Sequence, residues 1–437
     1  MAPLGTIRPV AAQWCNGSVR GADTCGNRGS GTSGRSWCCS LLLTVLCVVA
    51  SRVAIADALV LVSIDGFGHD YLDRFEPPAL MAIAGQGFRV RRLLPVYPTN
   101  TFPTHLSMAT GLRPEDHGIE DNHFCDALLD ECYHIGDGKR EPRWLKGMPI
   151  WSWVEAQGGI AATYFWPESD APWGGQLPTY YLPYNKTTPY EERVEQVLQW
   201  LRLPEGERPQ LITLYFSLVD TAGHEFGPGS PEVAAAVQEV DRHIGALWLG
   251  LQALPTPGAN LLVVSDHGMA RVDGSRAIVT TDLPHEPGLT MLQSSARVEY
   301  YADSDVEHPA VDIDGFLRRL TSEARGRFRV LDRDASLALG GHTERSVPAI
   351  TLLTQPPAYF SRFPVARDKR GGAHGYAADQ PDMAAFAVGA GPAFRRTLVD
   401  QAHQLDIFPM MLKVVNLPAP PGVASDGGPL LSILRDD

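Results

Sequence analysis

Four mostly apolar runs of five to nine residues recur along the chain. They are Ala58–Ile64, Leu211–Val219, Leu261–Ser265 and Met383–Val388. Because these runs lack the alternation of a half-exposed strand, they predict strands buried on both faces. Such strands are typical of a parallel sheet covered on both sides.

Two segments between these runs have apolar residues spaced three or four positions apart, as in an amphipathic helix. They are Tyr190–Leu201 and Pro231–Leu254. Alternation of such helices with buried strands predicts an α/β fold with a doubly wound, mostly parallel central sheet flanked by helices.

Residues 283–370 interrupt this alternation. Arg297–Tyr301 and Val347–Leu353 have the composition of strands, and Ile313–Ala324 has the apolar spacing of a helix. We therefore expect a small α+β subdomain inserted between two halves of the main unit.

The first 56 residues have a different composition from the rest of the chain. Basic residues, the apolar run Leu41–Ala50 and then small residues follow one another, which is the order of a secretory signal peptide with a long n-region. The run is shorter than the roughly 20 residues of a membrane span. We expect an exported, periplasmic or extracellular protein whose main domain spans 57–437. For the apolar run itself, a short anchor or a buried strand is the alternative.

Charge and cysteine content fit an exported protein. The net charge of −13 becomes −17 when the five Arg and one Asp of residues 1–56 are removed. This acidity argues against binding by counterion release, so we expect no stable nucleic-acid partner, and no feature indicates a membrane partner. Only Cys125 and Cys132 lie beyond residue 56, and in an exported protein they form either a disulfide or two free thiols.

Carboxylate and imidazole side chains cluster near the carboxyl ends of the predicted strands, which meet at one edge of a sheet. Asp65 and Asp266 each follow a strand, and Asp220 comes just past Val219. The whole set is Asp65, Asp220, His224, Asp266, His267 and His374. Carboxylates and imidazoles without a thiolate suit zinc or a similar divalent ion. Six such groups predict a binuclear site.

Thr101 is the candidate nucleophile. It precedes a helical stretch that has Pro103 in its first turn and ends at Gly111. A hydroxyl at a helix N-terminus lies beside free N–H groups that suit a phosphate, and a nearby divalent ion can activate it. The alternative is that Thr101 only caps the helix.

With these motifs in place, the chain resembles the nucleotide pyrophosphatase/phosphodiesterases of the alkaline phosphatase superfamily. The matching stretches are Val62–Gly66, Pro98–His105, Thr110–Gly118, Asp121-Asn122, Phe165–Pro167, Asp220–Pro228, Val264–Met269 and Ala373–Tyr376. They occur in the family's order. The resemblance implies an alkaline phosphatase-like fold and hydrolysis of nucleotide phosphodiester or phosphoanhydride bonds, which releases nucleoside 5′-monophosphates.

The resemblance also implies two Zn²⁺ per chain and a covalent phospho-threonine on Thr101. One zinc would be bound by Asp220, His224 and His374. The second would be bound by Asp65, Asp266, His267 and the Thr101 oxygen. Asn122 and the backbone N–H of Phe102 would hold a phosphate oxygen as negative charge builds in the transition state.

The same resemblance places a nucleotide base between Phe102 and Tyr184. Trp166 and Asp170 would belong to the same wall, and Lys139 would reach a terminal phosphate. Ordinary core packing is the alternative for Phe102 and Trp166.

Other functions on the same fold stay open at this point. A lysophospholipid phosphodiesterase would need a shortened loop where Glu168–Pro189 stands. A sulfatase would need a Cys or Ser nucleophile in its own motif, and a phosphomonoesterase an Arg beside the nucleophile. A zinc-binding protein without catalysis is the non-enzymatic alternative.

Overall fold

The computed structural model describes residues 58–254, 258–302 and 311–435. The expected signal peptide over residues 1–56 lies outside this range, and that expectation stays a prediction. Over the described part of the chain, every helix is too short or too polar to cross a bilayer.

The described residues form eighteen strands and eleven α-helices. The strands are β1 (Ala58–Ile64), β2 (Phe88–Leu94), β3 (His123–Asp126), β4 (Glu131–His134), β5 (Ala161–Tyr164), β6 (Tyr180–Leu182), β7 (Leu211–Phe216), β8 (Ala259–Val264), β9 (Ala270–Asp273), β10 (Ala277–Val279), β11 (Leu289–Gln293), β12 (Arg297–Ala302), β13 (Arg329–Asp332), β14 (Ile350–Leu353), β15 (Tyr359–Ser361), β16 (Arg370–Ala373), β17 (Ala385–Ala390) and β18 (Thr397–His403). The helices are α1 (Tyr71–Phe75), α2 (Pro78–Gln86), α3 (Thr101–Thr110), α4 (Pro114–His117), α5 (Ile150–Ala156), α6 (Tyr190–Leu201), α7 (Leu218–Phe226), α8 (Pro231–Gln252), α9 (Ile313–Ala324), α10 (Arg333–Ala338) and α11 (Ile407–Val414).

Eight strands form the central sheet, in the order β18-β2-β17-β8-β1-β7-β5-β6. Neighbours are parallel except at β17, which is antiparallel to both β8 and β2. The predicted mostly parallel α/β sheet is therefore confirmed. The expectation of a parallel strand at Met383–Val388 is wrong, since that run became the antiparallel strand β17. Burial on both faces makes a strand apolar whichever way it runs.

The sheet is buried on both faces by helices. Val60 and Val62 of β1 lie in one core with residues of α2, α6 and α8. Leu59 and Leu61 lie in the other core with residues of α3, α5 and α11. Because both faces of β1 are covered, every residue of this strand is apolar except Ser63, and the strand shows no alternation.

The second predicted strand is shorter than its apolar run. Strand β7 ends at Phe216, and helix α7 begins at Leu218. The run continues to Val219 because Phe216 and Val219 pack in the same core on either side of the junction. Asp220 therefore lies in the first turn of a helix, and the expectation that it directly follows a strand is wrong.

Residues 283–370 contain a four-stranded antiparallel sheet in the order β11-β12-β14-β13. Phe316 and Leu320 of α9 pack with Val298, Ile350 and Leu352 in a core of their own. The domain boundaries themselves stay a prediction. Elsewhere, β3 and β4 form a hairpin that the Cys125–Cys132 disulfide closes, which is the first of the two alternatives that the sequence left open for these cysteines.

Candidate active site

Helix α3 places Thr101 at its first position, with Asn100 as the N-cap. His105, one turn later, is fully buried and holds this helix start in place. Its Nδ1 donates to the Thr101 carbonyl at 2.7 Å, and its Nε2 lies 2.7 Å from Ser63 Oγ on β1. His105 is thus a packing residue, and it fixes the nucleophile helix to the central sheet.

The first predicted ligand set is brought together by α7 and β16. Asp220 and His224 are four residues apart on one face of α7, with 3.4 Å between Asp220 Oδ1 and His224 Nε2. His374 follows β16, and its Nε2 lies 3.1 Å from His224 Nε2. Glycine permits this approach, because a Cβ on Gly372 would lie 2.5 Å from the Gly223 carbonyl oxygen.

The second predicted set forms at the ends of two neighbouring parallel strands. β1 pairs with β8 in a register that brings Asp65 and Asp266 level with each other. His267 Nε2 lies 3.0 Å from Asp266 Oδ2 and 3.6 Å from Asp65 Oδ1. The same nitrogen lies 3.5 Å from Thr101 Oγ1, so the candidate nucleophile borders this set.

All three histidines of the two sets are oriented in the same way by the backbone. Nδ1 lies 3.1 Å from the Gly372 carbonyl in His224, 2.9 Å from the Gly268 carbonyl in His267 and 3.0 Å from the Thr99 carbonyl in His374. A carbonyl oxygen only accepts, so each Nδ1 carries the proton. Each Nε2 therefore turns a lone pair towards the shared centre, which is the usual orientation of a metal-binding histidine.

Three carboxylate oxygens face the same space. Asp65 Oδ1, Asp220 Oδ1 and Asp266 Oδ2 are buried and accept no hydrogen bond from any described residue. Burial, followed by the charges of Asp266 and Asp220, raises the pKa of Asp65 well above its usual value. Lone pairs and carboxylates crowded together without donors repel one another, and divalent cations would remove that repulsion. The residues therefore fit a metal centre.

Asn122 lies beside the start of α3. Its Oδ1 accepts from the Phe102 backbone N–H at 3.0 Å, while its Nδ2 makes no hydrogen bond to a described residue. The neighbouring Asp121 holds the Asn122 backbone N–H at 2.7 Å. A free amide N–H and a helix N-terminus thus meet next to Thr101, as a phosphate oxygen would require.

Tyr184 and Lys139 are the residues predicted to contact the base and a terminal phosphate of the nucleotide. Tyr184 is half exposed, and its ring packs edge-on against Phe165 and Tyr215, with centroids 5.4 and 6.1 Å apart. Lys139, whose side chain is 46% exposed, places its Nζ 2.5 Å from Oδ2 of Asp170, whose side chain is only 10% exposed.

Phe102 and Trp166, which were also predicted to bind the nucleotide, differ in their exposure. Phe102 is partly exposed beside Thr101. Trp166 is only 2% exposed and packs edge-on against His105, so the structure places it beneath the site, in the core.

Sequence reasoning missed several residues that support the site. Tyr215 donates its hydroxyl proton to Asp65 Oδ2, and Gln404 Nε2 donates to the Asp266 carbonyl at 2.5 Å. Both lie inside or next to apolar stretches, where no feature of the sequence distinguishes them from residues of the core. Asp121 belongs to a recognised motif, but its contact with Arg297, from a distant strand, gives no local signal.

Comparisons with known proteins agree with this geometry. A family model described as "Type I phosphodiesterase / nucleotide pyrophosphatase" matches residues 59–377. A venom phosphodiesterase of Macrovipera lebetinus is 33% identical over 370 residues, covering 83% of this chain and 44% of that protein. Human ectonucleotide pyrophosphatase/phosphodiesterase family member 1 is 34% identical over 370 residues, covering 82% of this chain and 40% of that protein. The chain thus spans less than half the length of these relatives.

A similar solved structure is that of murine ectonucleotide pyrophosphatase/phosphodiesterase 5, an inactive variant in complex with AMP. It matches with a TM-score of 0.78 and 26% identity, covering 87% of this chain and all of that one. The predicted alkaline phosphatase-like fold is therefore confirmed.

Proposed function

Since this chain belongs to the type I phosphodiesterase/nucleotide pyrophosphatase family, we propose that it hydrolyses nucleotide phosphodiester or phosphoanhydride bonds. The products are nucleoside 5′-monophosphates. The observation that carries this proposal is the arrangement around Thr101. Three imidazole lone pairs and three carboxylate oxygens that accept no hydrogen bond from a described residue converge next to a hydroxyl at a helix N-terminus.

The proposed cofactors are two Zn²⁺, one held by each of the two ligand sets described above. Mixed imidazole and carboxylate ligands suit zinc. Two Zn²⁺ balance three aspartates and one alkoxide, which leaves room for a phosphodiester monoanion. When bound, the ions supply Lewis acidity, which favours the Thr101 alkoxide and offsets charge on phosphate oxygens.

In the proposed reaction, Thr101 Oγ1 forms a bond to phosphorus as the bond from phosphorus to the leaving oxygen breaks. The nucleoside monophosphate is then esterified to Thr101. Water cleaves this phospho-threonine ester and restores the hydroxyl. Nδ2 of Asn122 donates to the phosphate oxygen on which charge builds. The Phe102 N–H, which in this structure donates to Asn122 Oδ1, would turn from that oxygen to the phosphate, and His105 keeps the helix start in position.

Nucleotides are the favoured substrates because Phe102 and the half-exposed Tyr184 offer aromatic faces for a base. The murine relative whose structure contains AMP supports this choice. The intact Glu168–Pro189 segment argues against a lysophospholipid pocket. We further propose that the protein is exported, as venom enzymes are, with residues 1–56 as its signal peptide.

The nucleophile is tested by Thr101→Ala and Thr101→Ser. The alanine variant lacks the attacking oxygen, so we expect at least about a 10³-fold loss of kcat, while zinc content by atomic emission stays near wild type. The serine variant is the matched control, because it keeps an attacking hydroxyl and should therefore retain measurable turnover. Full activity in Thr101→Ala would remove Thr101 from the reaction.

The ligand assignment is tested by Asp220→Asn. An amide is a weaker metal ligand than a carboxylate, so we expect this variant to retain about one zinc per chain. Two tightly bound zinc ions in the variant would contradict the assignment.

The reaction class is tested with phosphodiester and phosphomonoester substrates of p-nitrophenol. The diester should be hydrolysed faster. The proposed site has the two ions and the Asn122 amide, and it has no further cation to balance the second negative charge of a monoester. Faster monoester hydrolysis would favour the phosphomonoesterase alternative.

A further inference from the structure

A buried cluster of charges connects the inserted subdomain to the segment that carries Asn122. Its members are Glu120, Asp121, Arg297, Glu299 and His342, each at most 6% exposed. Charged side chains are rarely buried unless they are paired. None of them takes part in the reaction proposed above, so their burial needs another reason.

Asp121 holds both segments on which that reaction depends. Its Oδ1 accepts from Asn100 Nδ2 at 2.5 Å and from the Asn122 backbone N–H at 2.7 Å. Asn100 is the N-cap of α3, and its carbonyl accepts from Thr104 Oγ1 at 2.6 Å. One carboxylate oxygen therefore ties the nucleophile helix to the proposed phosphate-binding amide.

The other oxygen of Asp121 is held by Arg297. Arg297 Nη2 donates to Asp121 Oδ2, and Arg297 Nε lies 3.2 Å from Glu299 Oε1. The guanidinium also lies over the Tyr97 ring, 5.5 Å from its centroid. Nε and Nη1 of Arg297 make no hydrogen bond to a described residue. The hydrogen bond from Nη2, the ion pair with Glu299 and the Tyr97 ring together hold the guanidinium beside the Asp121 carboxylate.

The far side of the cluster holds Glu299. His342 Nε2 lies 3.1 Å from Glu299 Oε1, and His342 Nδ1 lies 3.2 Å from Glu120 Oε2. Arg297 and Glu299 both belong to strand β12 of the inserted subdomain. The subdomain thus reaches the nucleophile helix through a chain of buried polar contacts, with Arg297 as its last member.

We infer that Arg297 is a positioning residue for the proposed reaction: through Asp121, it orients the Asn122 amide towards the phosphate oxygen that gains charge. Without Arg297, Oδ2 of Asp121 is a buried acceptor with no donor. The carboxylate can then turn, and Asn100 and Asn122 lose their fixed partner. This inference rests on the proposed function, because it assigns Arg297 no role except through Asn122.

The direct test is Arg297→Met, which keeps much of the side-chain volume and removes the donors. Loss of one donor to a developing oxyanion typically lowers kcat about 10²–10³-fold. A misoriented donor should cost less, so we expect kcat for a nucleotide p-nitrophenyl ester to fall about 10- to 100-fold. KM should change less than about threefold, since Tyr184 still binds the base, and zinc content should stay at the wild-type value.

The matched control is Arg91→Met, which removes an arginine–aspartate pair at the surface, where Arg91 Nη1 lies 3.0 Å from Asp400 Oδ1. This variant should have wild-type kcat and KM. Arg297→Lys keeps the charge but has only a single donor group, so it should recover part of the lost kcat.

A double-mutant cycle separates positioning from general destabilisation. Arg297→Met is measured in the wild type and in Asn122→Ala, which lacks the amide. If Arg297 acts through Asn122, the second loss of kcat should be less than about threefold, because coupled residues are not additive. An equal loss in both backgrounds would overturn the inference.

Two further results keep the test decisive. If Arg297→Met does not fold, Asp121→Asn replaces it. An amide keeps the shape of Asp121 but has one acceptor oxygen, so it cannot accept both from Arg297 and from Asn100 and Asn122. This variant should show the same loss and the same non-additivity. If neither variant folds, the cluster serves folding and the inference is wrong. Wild-type activity of Asn122→Ala would instead refute the proposed role of Asn122, independently of the Arg297 data.

Discussion

At the scale of single residues, Tyr215 links the candidate nucleotide pocket to the metal centre. Its hydroxyl donates to Asp65 Oδ2, while its ring packs edge-on against Tyr184. The bond to Tyr215 occupies one oxygen of Asp65 and leaves Oδ1 facing the centre. Packing against Tyr215 and Phe165 also keeps the half-exposed Tyr184 ring ordered, so a base would meet a preformed surface.

Replacing Tyr184 tests this surface. Stacking of a base on an aromatic ring contributes about 1–3 kcal/mol. Tyr184→Ala should therefore lower kcat/KM for a nucleotide p-nitrophenyl ester about 5- to 150-fold, and leave methyl p-nitrophenyl phosphate nearly unaffected. Tyr181→Ala is the control, because Tyr181 is also an exposed tyrosine, at 39%. Equal losses with both substrates would contradict a base-stacking role.

At the scale of elements, the first ligand set depends on how closely β16 packs against α7. His374 follows β16 directly, and His224 lies on α7. A Cβ on Gly372 would lie 2.5 Å from the Gly223 carbonyl and 2.6 Å from Met269 Cγ. The glycine is thus required by the approach of two backbones, since no side chain fits between them.

Gly372→Ala should push β16 away from α7. Overpacking of this kind typically costs about 1–3 kcal/mol of unfolding free energy. It should also weaken the zinc site that contains His374, which competition with a chelator would detect. Gly85→Ala, in α2, has no atom within 4 Å of the added Cβ, and should be neutral or stabilising by about 0.5–1 kcal/mol. Unchanged zinc affinity in Gly372→Ala would show that the contact is not needed.

The elements also show what the sequence could predict. Buried strands and the ligand types were predicted because apolar runs and polar residues at their ends are local features. The direction of β17 was not predicted, because a strand buried on both faces is apolar whichever way it runs. The helical position of Asp220 was not predicted either, because the mostly apolar run passes through the junction with only Ser217 between Phe216 and Leu218. Arg297 was missed because its partner Asp121 is 176 positions away in the chain.

At the scale of the whole molecule, the buried charge cluster joins the inserted subdomain to the central unit. His342 is its titratable member at moderate pH, and Glu120, Glu299 and Arg297 face it. Burial alone would lower its pKa, but Glu299 and Glu120 raise the pKa of His342 to about 9. The protonated imidazole therefore stabilises the joined arrangement.

Stability should depend on pH accordingly. In the unfolded chain a histidine has a pKa of about 6.5, so the contribution of His342 is complete below that pH and is lost as the pH rises through about 9. The free energy of unfolding, measured with urea, should fall over this interval by on the order of 3 kcal/mol. His342→Gln should abolish most of this fall. An identical pH dependence in both proteins would contradict the proposed protonation of His342.

The most direct test of the central claim is the product distribution from ATP, measured with the purified protein with and without a chelator. We predict AMP and pyrophosphate, loss of activity with the chelator, and recovery when zinc is added. That result would support a base bound between Phe102 and Tyr184 and attack at the α-phosphorus. ADP and phosphate as products, or activity that a chelator leaves intact, would contradict the proposed phosphodiesterase.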